Sequence, residues 1–470
     1  MVGLVLHPFA RALPCDVVNL IVRAFYTYHV ALTVRGFPTD PRFGLRLRRL
    51  VPLASVDSQW RHAVLPLLYR TLVCEEYAGG RRSNLGLFAA KGRRRWVRHL
   101  LVLGGGNAGE LLSVGWPGLE QMSVVGGFAG VEFMRESVDL QALSRVNAPC
   151  VSMRLMNSHC AITHLWVGGD ALPLVRRIAR DLVSLRVGDI ADGVELLAVL
   201  GDAHFQALEA LTLEFRDASP GSHVVGDVRP LAAPGCFPAL RALVVRHCPF
   251  DVRVCLAAIG GASAGCGRLG RLEVYGSRAD VLALAESRAV LSPARSVVVA
   301  CVGVARAPVD RAERFVAAAL SNRSLFSVGS LSLTVIGSRP VAFVEGVACV
   351  GLRALELRVP LRLDVAERLL EQMPRLQRLC LPYVATEATM LSVRKGGVLS
   401  KSLQLLSMGF WDCRQDLRAL SLAVVAFVGR LPELRTLVHD SHVAAAVRRM
   451  IGGNDQLRNL VITDHTKLSF

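Results

Sequence analysis

The chain has 470 residues, and since one hydrophobic core seldom extends beyond about 250 to 300 residues, this length excludes a single ordinary globular domain and predicts repeats or several domains. Lysine and arginine total 55 against 38 aspartate and glutamate residues, which gives a formal net charge of +17. Only four basic residues are lysines and the arginines are spread along the chain, so we interpret the charge as a compositional bias rather than a signal for nucleic-acid binding.

Two helices are predicted in the N-terminal seventy residues. In LPCDVVNLIVRAF, Asp16 is placed to cap a helix with the apolar face Val17, Leu20, Ile21, Ala24 and Phe25. In LVPLASVDSQWRHAVLPLLYRTLV, a second helical spacing of apolar residues runs through Leu53, Val56, Trp60, Val64 and Leu67. Trp60 is therefore predicted to anchor a small helical core.

These two segments together resemble an F-box over about residues 11–73. The resemblance is carried by an L-P pair, an acidic residue two positions later, an aliphatic helix, the pattern L-x-x-V-x-x-x-W-R and a closing Tyr69-Arg70 pair. Asp57 stands where the family commonly has cysteine, and the loop between the two segments is longer than usual. We expect an all-helical F-box-like domain at residues 11–78, with a long insertion at 26–49.

The resemblance implies a partner for this segment. In the F-box family the domain docks on a Skp-type adaptor, which joins it to a cullin ubiquitin ligase core. The residues expected to form or support this contact are Leu13, Pro14, Val17, Ile21, Leu53, Val56 and Trp60. The alternative is a helical cap that only shields the open end of the repeats that follow.

A recurring sequence motif, called the phrase below, follows a predicted basic linker at residues 79–96, which contains the run KGRRRW. The phrase is φ-x-x-φ-x-φ, with φ an aliphatic residue, and its end alternates like a short strand with every second residue buried. It begins at Val97, Leu119, Ile162, Leu182, Leu208, Leu240, Leu269, Ala294, Val328, Leu352, Leu376, Leu403, Leu434 and Leu457. One such unit cannot bury its apolar face alone, so neighbouring units are expected to stack.

Amphipathic helices are predicted between these strands. In DVAERLLEQMP, Asp364 is expected to accept from the first-turn amides and Glu367 to reach back, with the buried face Ala366, Leu369, Leu370 and Met373. The alternating units resemble leucine-rich repeats, of a divergent fungal type, over residues 97–470. The resemblance implies an α/β fold, a horseshoe-shaped solenoid of short parallel strands and helices, preceded by the F-box-like domain.

In leucine-rich repeats the outward-facing strand residues line the concave wall, where partners of that family bind. The residues between the last two φ positions form a column here: Trp166, Arg186, Thr212, Val244, Glu273, Val298, Ser332, Glu356, Cys380, Ser407, Val438 and Val461. The column is mixed and half apolar, which favours a protein partner over nucleic acid. We predict partner contacts at Trp166, Arg186, Glu273 and Glu356; the alternative is that the column is merely solvated.

Two short motifs match enzyme patterns by spacing alone. GGGNAG, from Gly104 to Gly109, satisfies G-x-G-x-x-G, but Gly115 and Pro117 interrupt the long helix that a dinucleotide-binding fold requires. GASAG around Ser263 satisfies G-x-S-x-G without the flanking strand and long helix of a nucleophile elbow. A nucleotide-binding enzyme is therefore the disfavoured alternative, and we expect a protein without catalytic activity.

Apolar runs and cysteines suggest the compartment. The longest uncharged apolar runs, such as LSLAVVAFVG, are shorter than the roughly 18 residues of a membrane-spanning helix. The N-terminal residues lack the basic segment and small-residue cleavage site of a secretory signal. The 12 cysteines are scattered, with no C-x-x-C pair. We expect a cytoplasmic or nuclear protein without a cofactor or a metal.

The two resemblances imply one function. An F-box followed by leucine-rich repeats is the domain order of substrate-recognition subunits of Skp-cullin-F-box ubiquitin ligases, in which the repeats hold a substrate protein. We therefore expect a chain that binds the adaptor, the cullin core and a protein substrate, and neither nucleic acid nor a membrane. The alternative is a leucine-rich-repeat interaction scaffold without a ligase role.

Overall fold

The fold is known from a computed structural model, and the chain forms two compact units. The N-terminal unit is Met1–Arg216 with Cys236–Pro238, and the C-terminal unit is Asp217–Gly235 with Ala239–Phe470. The structure describes residues 13–26, 50–77, 80–83, 93–103, 116–125, 132–133, 143–148, 154–155, 162–191, 193–216, 237–248, 269–276, 295–301, 309–321, 329–335, 341, 351–384, 397–410, 417–439, 441–451 and 460–464.

The N-terminal unit begins with three helices: α1 (Cys15–Tyr26), α2 (Val51–Ala54) and α3 (Ser58–Leu68). Their shared core consists of Val18, Val22, Leu50, Leu53, Trp60 and Val64. Within α1 and α3 the core residues are four positions apart, so they fall on one face of each helix. Trp60 lies in this core as predicted. The buried face of α1 is Val18 and Val22, however, and not the predicted face that contains Val17 and Ile21.

Short strands follow in the N-terminal unit: β1 (Thr71–Tyr77), β2 (Gly80–Ser83), β3 (His99–Leu103), β4 (Gln121–Val125), β5 (Glu132–Phe133), β6 (Arg145–Ala148), β7 (Arg154–Leu155), β8 (His164–Gly168), β9 (Ser184–Ile190) and β10 (Ala210–Phe215). Strands β1, β3, β4, β6, β8, β9 and β10 pair in this order, all in parallel. Strand β2 pairs antiparallel with β1, while β5 and β7 form a separate parallel pair. Helices α4 (Leu172–Ile178) and α5 (Gly193–Asp202) follow β8 and β9.

The sheet begins earlier in the chain than the repeat pattern predicted. Strand β1 lies inside the range 11–78, which was predicted to be helical, and pairs with β3. The predicted linker at 79–96 contains β2 and a 3-10 turn at Arg93–Trp96. Leu72 lies opposite Leu100, and Val97 begins the phrase three residues before Leu100. The residue three positions before Leu72 is Tyr69, which therefore begins the phrase in the repeat unit that contains β1. The pattern did not detect this repeat unit because Tyr69 and Cys74 stand at positions where it requires aliphatic residues.

The C-terminal unit continues the same arrangement with β11 (Ala242–Arg246), β12 (Arg271–Gly276), β13 (Ser296–Cys301), β14 (Ser330–Val335), β15 (Ala354–Arg358), β16 (Arg378–Val384), β17 (Leu405–Phe410), β18 (Thr436–His439) and β19 (Val461–Asp464). Each strand pairs in parallel with the next one along the chain. Helices α6 (Val309–Ser321), α7 (Leu363–Gln372), α8 (Leu417–Val428) and α9 (Ser441–Ile451) lie between strands in sequence. Sequential parallel pairing with intervening helices is a solenoid-like arrangement, and the α/β class is as predicted.

One backbone contact recurs between successive units. The carbonyl of the second residue of the phrase accepts hydrogen bonds from two consecutive amides of the next unit, as Arg353 does from Gln377 at 2.8 Å and Arg378 at 2.9 Å. In the N-terminal unit the Arg98 carbonyl accepts in the same way from Glu120 and Gln121. These hydrogen bonds pair backbone groups at the start of a strand with the neighbouring repeat unit. The repeat units that share them are therefore structurally equivalent.

The phrase residues form the core on one side of each strand. In β15, Leu355 and Leu357 are buried while Glu356 between them is only half-buried, and the alternation recurs in β10 and β14. The predicted buried face of α7, Ala366, Leu369, Leu370 and Met373, is buried throughout. These residues fall three or four positions apart, which is the spacing of one helix face.

The N-terminus of α7 differs from the prediction. Asp364 lies inside the first turn and pairs with Arg362 and Arg368 instead of capping the helix. Arg362 precedes the helix and makes no side-chain cap hydrogen bond. Glu367 is directed to Arg430, 63 positions away in the chain, and not back to the helix start. Two local ion pairs of Asp364 and one tertiary ion pair of Glu367 thus stand in place of the capping box.

Some predictions concern residues outside the described ranges. These include most of the insertion at 26–49, the glycine motif at 104–109 and the motif around Ser263. Within the described ranges no helix has the length and apolar character needed to cross a lipid bilayer.

Candidate functional site

The exposed face of α1 is unusually apolar for a surface helix. Val17 and Ile21 are each 38% exposed and Leu20 is 71% exposed, although Val18 and Val22 on the opposite face already fill the core. A surface helix of a globular protein normally presents polar residues to solvent. Helix α1 therefore has a second apolar face without a partner among the described residues, which we call the α1 outer face (Val17, Leu20 and Ile21).

The structure separates the predicted adaptor-binding residues into two groups. Pro14, Val17 and Ile21 are exposed, and Leu13 and Val56 are partly buried against the helical core. Leu53 and Trp60 are buried within that core. Their side chains are 9% and 3% exposed, so in the structure they support the helices from within, and their contribution to adaptor binding stays a prediction.

Asp57 has a defined structural role that the sequence comparison with the F-box pattern did not reveal. It is the N-cap of α3, and its Oδ1 accepts from the amides of Gln59 at 2.7 Å and Trp60 at 2.9 Å. These bonds satisfy two amides that have no partner within the helix. The cap thus fixes the start of the helix that carries Trp60 into the core.

Replacing Asp57 by alanine is expected to lower the free energy of unfolding by about 1 kcal/mol, because two first-turn amides lose their acceptor. Asparagine can cap a helix in the same way, so Asp57→Asn should retain most of the stability. Urea denaturation followed by circular dichroism would compare the two variants. Equal losses for alanine and asparagine would contradict a role through capping.

The predicted partner-binding column is aligned in register. Trp166 lies opposite Arg186, and Arg186 opposite Thr212. In the C-terminal unit an unbroken register runs through Val244, Glu273, Val298, Ser332, Glu356, Cys380, Ser407 and Val438. At the end of the column Val438 lies opposite Thr463 and not Val461, because β19 pairs two residues out of the predicted frame.

Trp166 and Arg186 form one contact pair within the N-terminal unit. The Arg186 guanidinium stacks on the Trp166 ring at 3.7 Å from its centroid, and its Nη2 donates to Glu214 Oε2 at 2.8 Å. Stacking of a guanidinium on an indole adds to the ion pair and limits the motion of both side chains. The structure thus brings these two predicted residues into direct contact.

Glu273 and Glu356 are the centres of two hydrogen-bonded groups in the C-terminal unit. Glu273 is buried, forms an ion pair with Arg271 and accepts from the Tyr275 hydroxyl at 2.9 Å. Burial raises the pKa of Tyr275, and its hydrogen bond to Glu273 raises that pKa further. The hydroxyl therefore stays protonated and continues to donate at physiological pH.

The carboxylate of Glu356 is hydrogen-bonded in a similar way on the same face. Ser332 donates to its Oε2 at 2.9 Å and Arg358 donates to its Oε1 at 2.6 Å. On the next strand, burial raises the pKa of the Cys380 thiol, so the thiol form is favoured. Of the four predicted partner-binding residues, Trp166 and Arg186 are in contact in the N-terminal unit. Glu273 and Glu356 belong to the C-terminal unit, on strands β12 and β15, which are separated by two other strands.

Sequence reasoning missed other residues on the same face of the N-terminal unit. Leu143 and Val146 are buried and begin a repeat unit, ending at Ala148, that the sequence analysis did not include. Asn147 of this unit is buried and lies between Ser123 and Trp166 in the column. His99 lies on the neighbouring column, where burial together with Arg70 and Arg145 lowers its pKa to about 4.

The described side chains at these sites are polar, charged, aromatic and apolar. Among the described residues no group of three or more His, Cys, Asp or Glu side chains is placed to hold a metal ion. No family model matches the sequence, and no curated protein matches it.

Proposed function

We propose that this chain is the substrate-recognition subunit of a Skp-cullin-F-box type ubiquitin ligase. In this proposal the three N-terminal helices are F-box-like and dock on a Skp-type adaptor, while the strand and helix units are leucine-rich repeats that bind a protein substrate. The observation that carries the proposal is the α1 outer face, three exposed apolar side chains on a helix whose other face already fills a core.

Burial of the α1 outer face would supply binding free energy. Removing apolar surface from water contributes about 25 cal/mol per Å², and exposed contiguous apolar residues commonly mark protein interaction sites. The position of the face also agrees with the resemblance, because Pro14, Val17 and Ile21 belong to the F-box pattern and are exposed. Trp60 and Leu53 support the same helix from the core side.

The repeat surface is suited to a protein substrate. Trp166 with its stacked Arg186 provides an aromatic and a charged group in one place, and both residue types are enriched in interface hot spots. Glu273 and Glu356 each form an ion pair with an arginine of their own strand, so neither carboxylate is an isolated negative charge. A substrate would thus meet polar groups that are held in place before it binds.

A pull-down with a purified Skp-type adaptor tests the docking proposal. The full chain should capture the adaptor, and Val17→Asp combined with Ile21→Asp should weaken capture at least about tenfold, because two charges would be buried in an apolar contact. Neither side chain belongs to the buried core, so the fold should be retained, which circular dichroism would verify.

The matched control is Val194→Asp combined with Leu422→Asp. These residues are 51% and 54% exposed on α5 and α8, so they are exposed apolar positions on other helices. Adaptor capture should be unchanged by this control. Equal weakening by both double variants, or no capture by the unmodified chain, would reject the ligase role and leave a leucine-rich-repeat interaction scaffold as the function.

A further inference from the structure

Arginines recur at one edge of the sheet in the C-terminal unit. Arg241, Arg295, Arg353 and Arg435 each immediately precede a strand, and two more arginines are the first residues of β12 and β16. We call this set the arginine row: Arg241, Arg271, Arg295, Arg353, Arg378 and Arg435. All six are exposed.

Parallel pairing places the row on a single edge. The strands from β11 to β18 all run in the same direction, so their amino-terminal ends meet at the same side of the sheet. Neighbouring strands are about 4.8 Å apart, and the row from Arg241 to Arg435 therefore extends on the order of 30 Å. Gly270 precedes β12 between Arg241 and Arg295, and Gly329 precedes β14 between Arg295 and Arg353, so no side chain stands at the corresponding position of these two strands.

The charge of the row is largely uncompensated. Arg271 pairs with Glu273. In the described part of the chain no carboxylate lies within ion-pair distance of the other five guanidinium groups. Cations that lie within about the Debye length, about 8 to 10 Å, repel one another. A bound polyanion would relieve this repulsion and would also form new contacts.

We propose that the arginine row binds an extended acidic segment of a protein. Guanidinium groups match carboxylates in bidentate geometry, and an extended stretch of about ten residues has the length of the row. Binding of single-stranded nucleic acid normally adds aromatic stacking, and no aromatic residue stands at either of the two edge positions of the described strands of this unit. The edge chemistry thus favours carboxylates over nucleotides.

This inference goes beyond the proposed function and does not depend on adaptor docking. The row belongs to the C-terminal unit and shares no residue with the α1 outer face, which belongs to the N-terminal unit. The adaptor pull-down and the experiment below can therefore fail independently.

The probe is a fluorescein-labelled peptide of alternating Glu and Ser, about 12 residues long, titrated with the full chain at low salt. Arg241→Gln, Arg295→Gln and Arg353→Gln combined should raise the Kd at least about tenfold. The control combines Arg176→Gln, Arg177→Gln and Arg180→Gln, three exposed arginines of the N-terminal unit, and should change the Kd less than about twofold. Binding should weaken when the salt concentration is raised.

The same titration with an oligothymidylate of equal charge distinguishes the two polyanions. Tighter binding of the oligothymidylate than of the peptide, with the greater loss in the row variant, would overturn the assignment in favour of nucleic acid. Equal losses in the row and control variants would show attraction to net charge only. Absence of peptide binding at low salt would also overturn the proposal, provided that circular dichroism shows folded protein.

Discussion

Replacing Glu367 by alanine is expected to lower the free energy of unfolding by about 3 to 5 kcal/mol, because it leaves Arg430 as a buried cation without its carboxylate. The Glu367 side chain is 1% exposed and that of Arg430 13% exposed, and Arg430 Nη1 donates to Glu367 Oε1 at 2.7 Å. Arg430 Nε also donates to the Gly397 carbonyl at 3.1 Å. The pair connects α7 to the second residue after α8, so its loss affects the packing of repeat units far apart in sequence.

Two comparisons isolate the cause of this loss. Combined Glu367→Met and Arg430→Met should cost much less than the single change, since removing both charges leaves none uncompensated. Arg176→Ala breaks an exposed pair with Asp202 at 2.9 Å and should cost less than about 1 kcal/mol. Guanidinium chloride denaturation of the full chain measures all three. A loss for Glu367→Ala no greater than that for Arg176→Ala would contradict the prediction.

The strands were predictable because their signal is local. Alternation of buried and exposed residues within one phrase fixes which side of a strand is buried, and repetition fixes what the strand pairs with. The alignment of Trp166 with Arg186 and of Ser332 with Glu356 followed from counting positions in the phrase alone.

The pairing register of β19 could not be predicted, because two neighbouring positions satisfied the pattern equally. Leu460 and Ile462 are both aliphatic, and the structure pairs Ile462 with Leu437, which moves Val461 out of the column. The repeat unit that begins with Tyr69 was missed because Tyr69 and Cys74 depart from the aliphatic rule, although β1 pairs like the other strands. The unit that ends with Ala148 was missed although Leu143, Val146 and Ala148 satisfy the rule.

The candidate sites required tertiary information for a different reason. Apolar residues at helical spacing exist on both faces of α1, so periodicity alone did not determine that Val18 and Val22 point into the core. Glu367 had a plausible local role as a capping-box residue, but its Oε1 accepts from Arg430 instead. Long-range partners of charged groups leave no periodic trace in the sequence.

Protein stability is expected to fall as the pH decreases from about 6.5 to about 4, with His99 as one specific source. Burial, then Arg70 and Arg145, lower the pKa of this imidazole from 6.5 to about 4, and Thr71 Oγ1 lies 3.4 Å from its Nδ1. The unfolded chain therefore binds a proton that the folded chain rejects in this interval. The contribution of His99 is complete above pH 6.5, is lost progressively on acidification and does not decrease further below about pH 4.

The difference in unfolding free energy between the unmodified chain and His99→Gln should change by roughly 3 kcal/mol between pH 7 and pH 4, in the direction that favours the variant at low pH. His164→Gln is the matched control on the same sheet face: burial and Arg145 also lower the pKa of His164, but it is the more solvated imidazole and should give a smaller change. Denaturant titrations at several pH values measure both differences. If the His99 difference were independent of pH, protonation of this imidazole would not be coupled to folding, and the close approach of Arg70 and Arg145 would have to be relieved by local rearrangement.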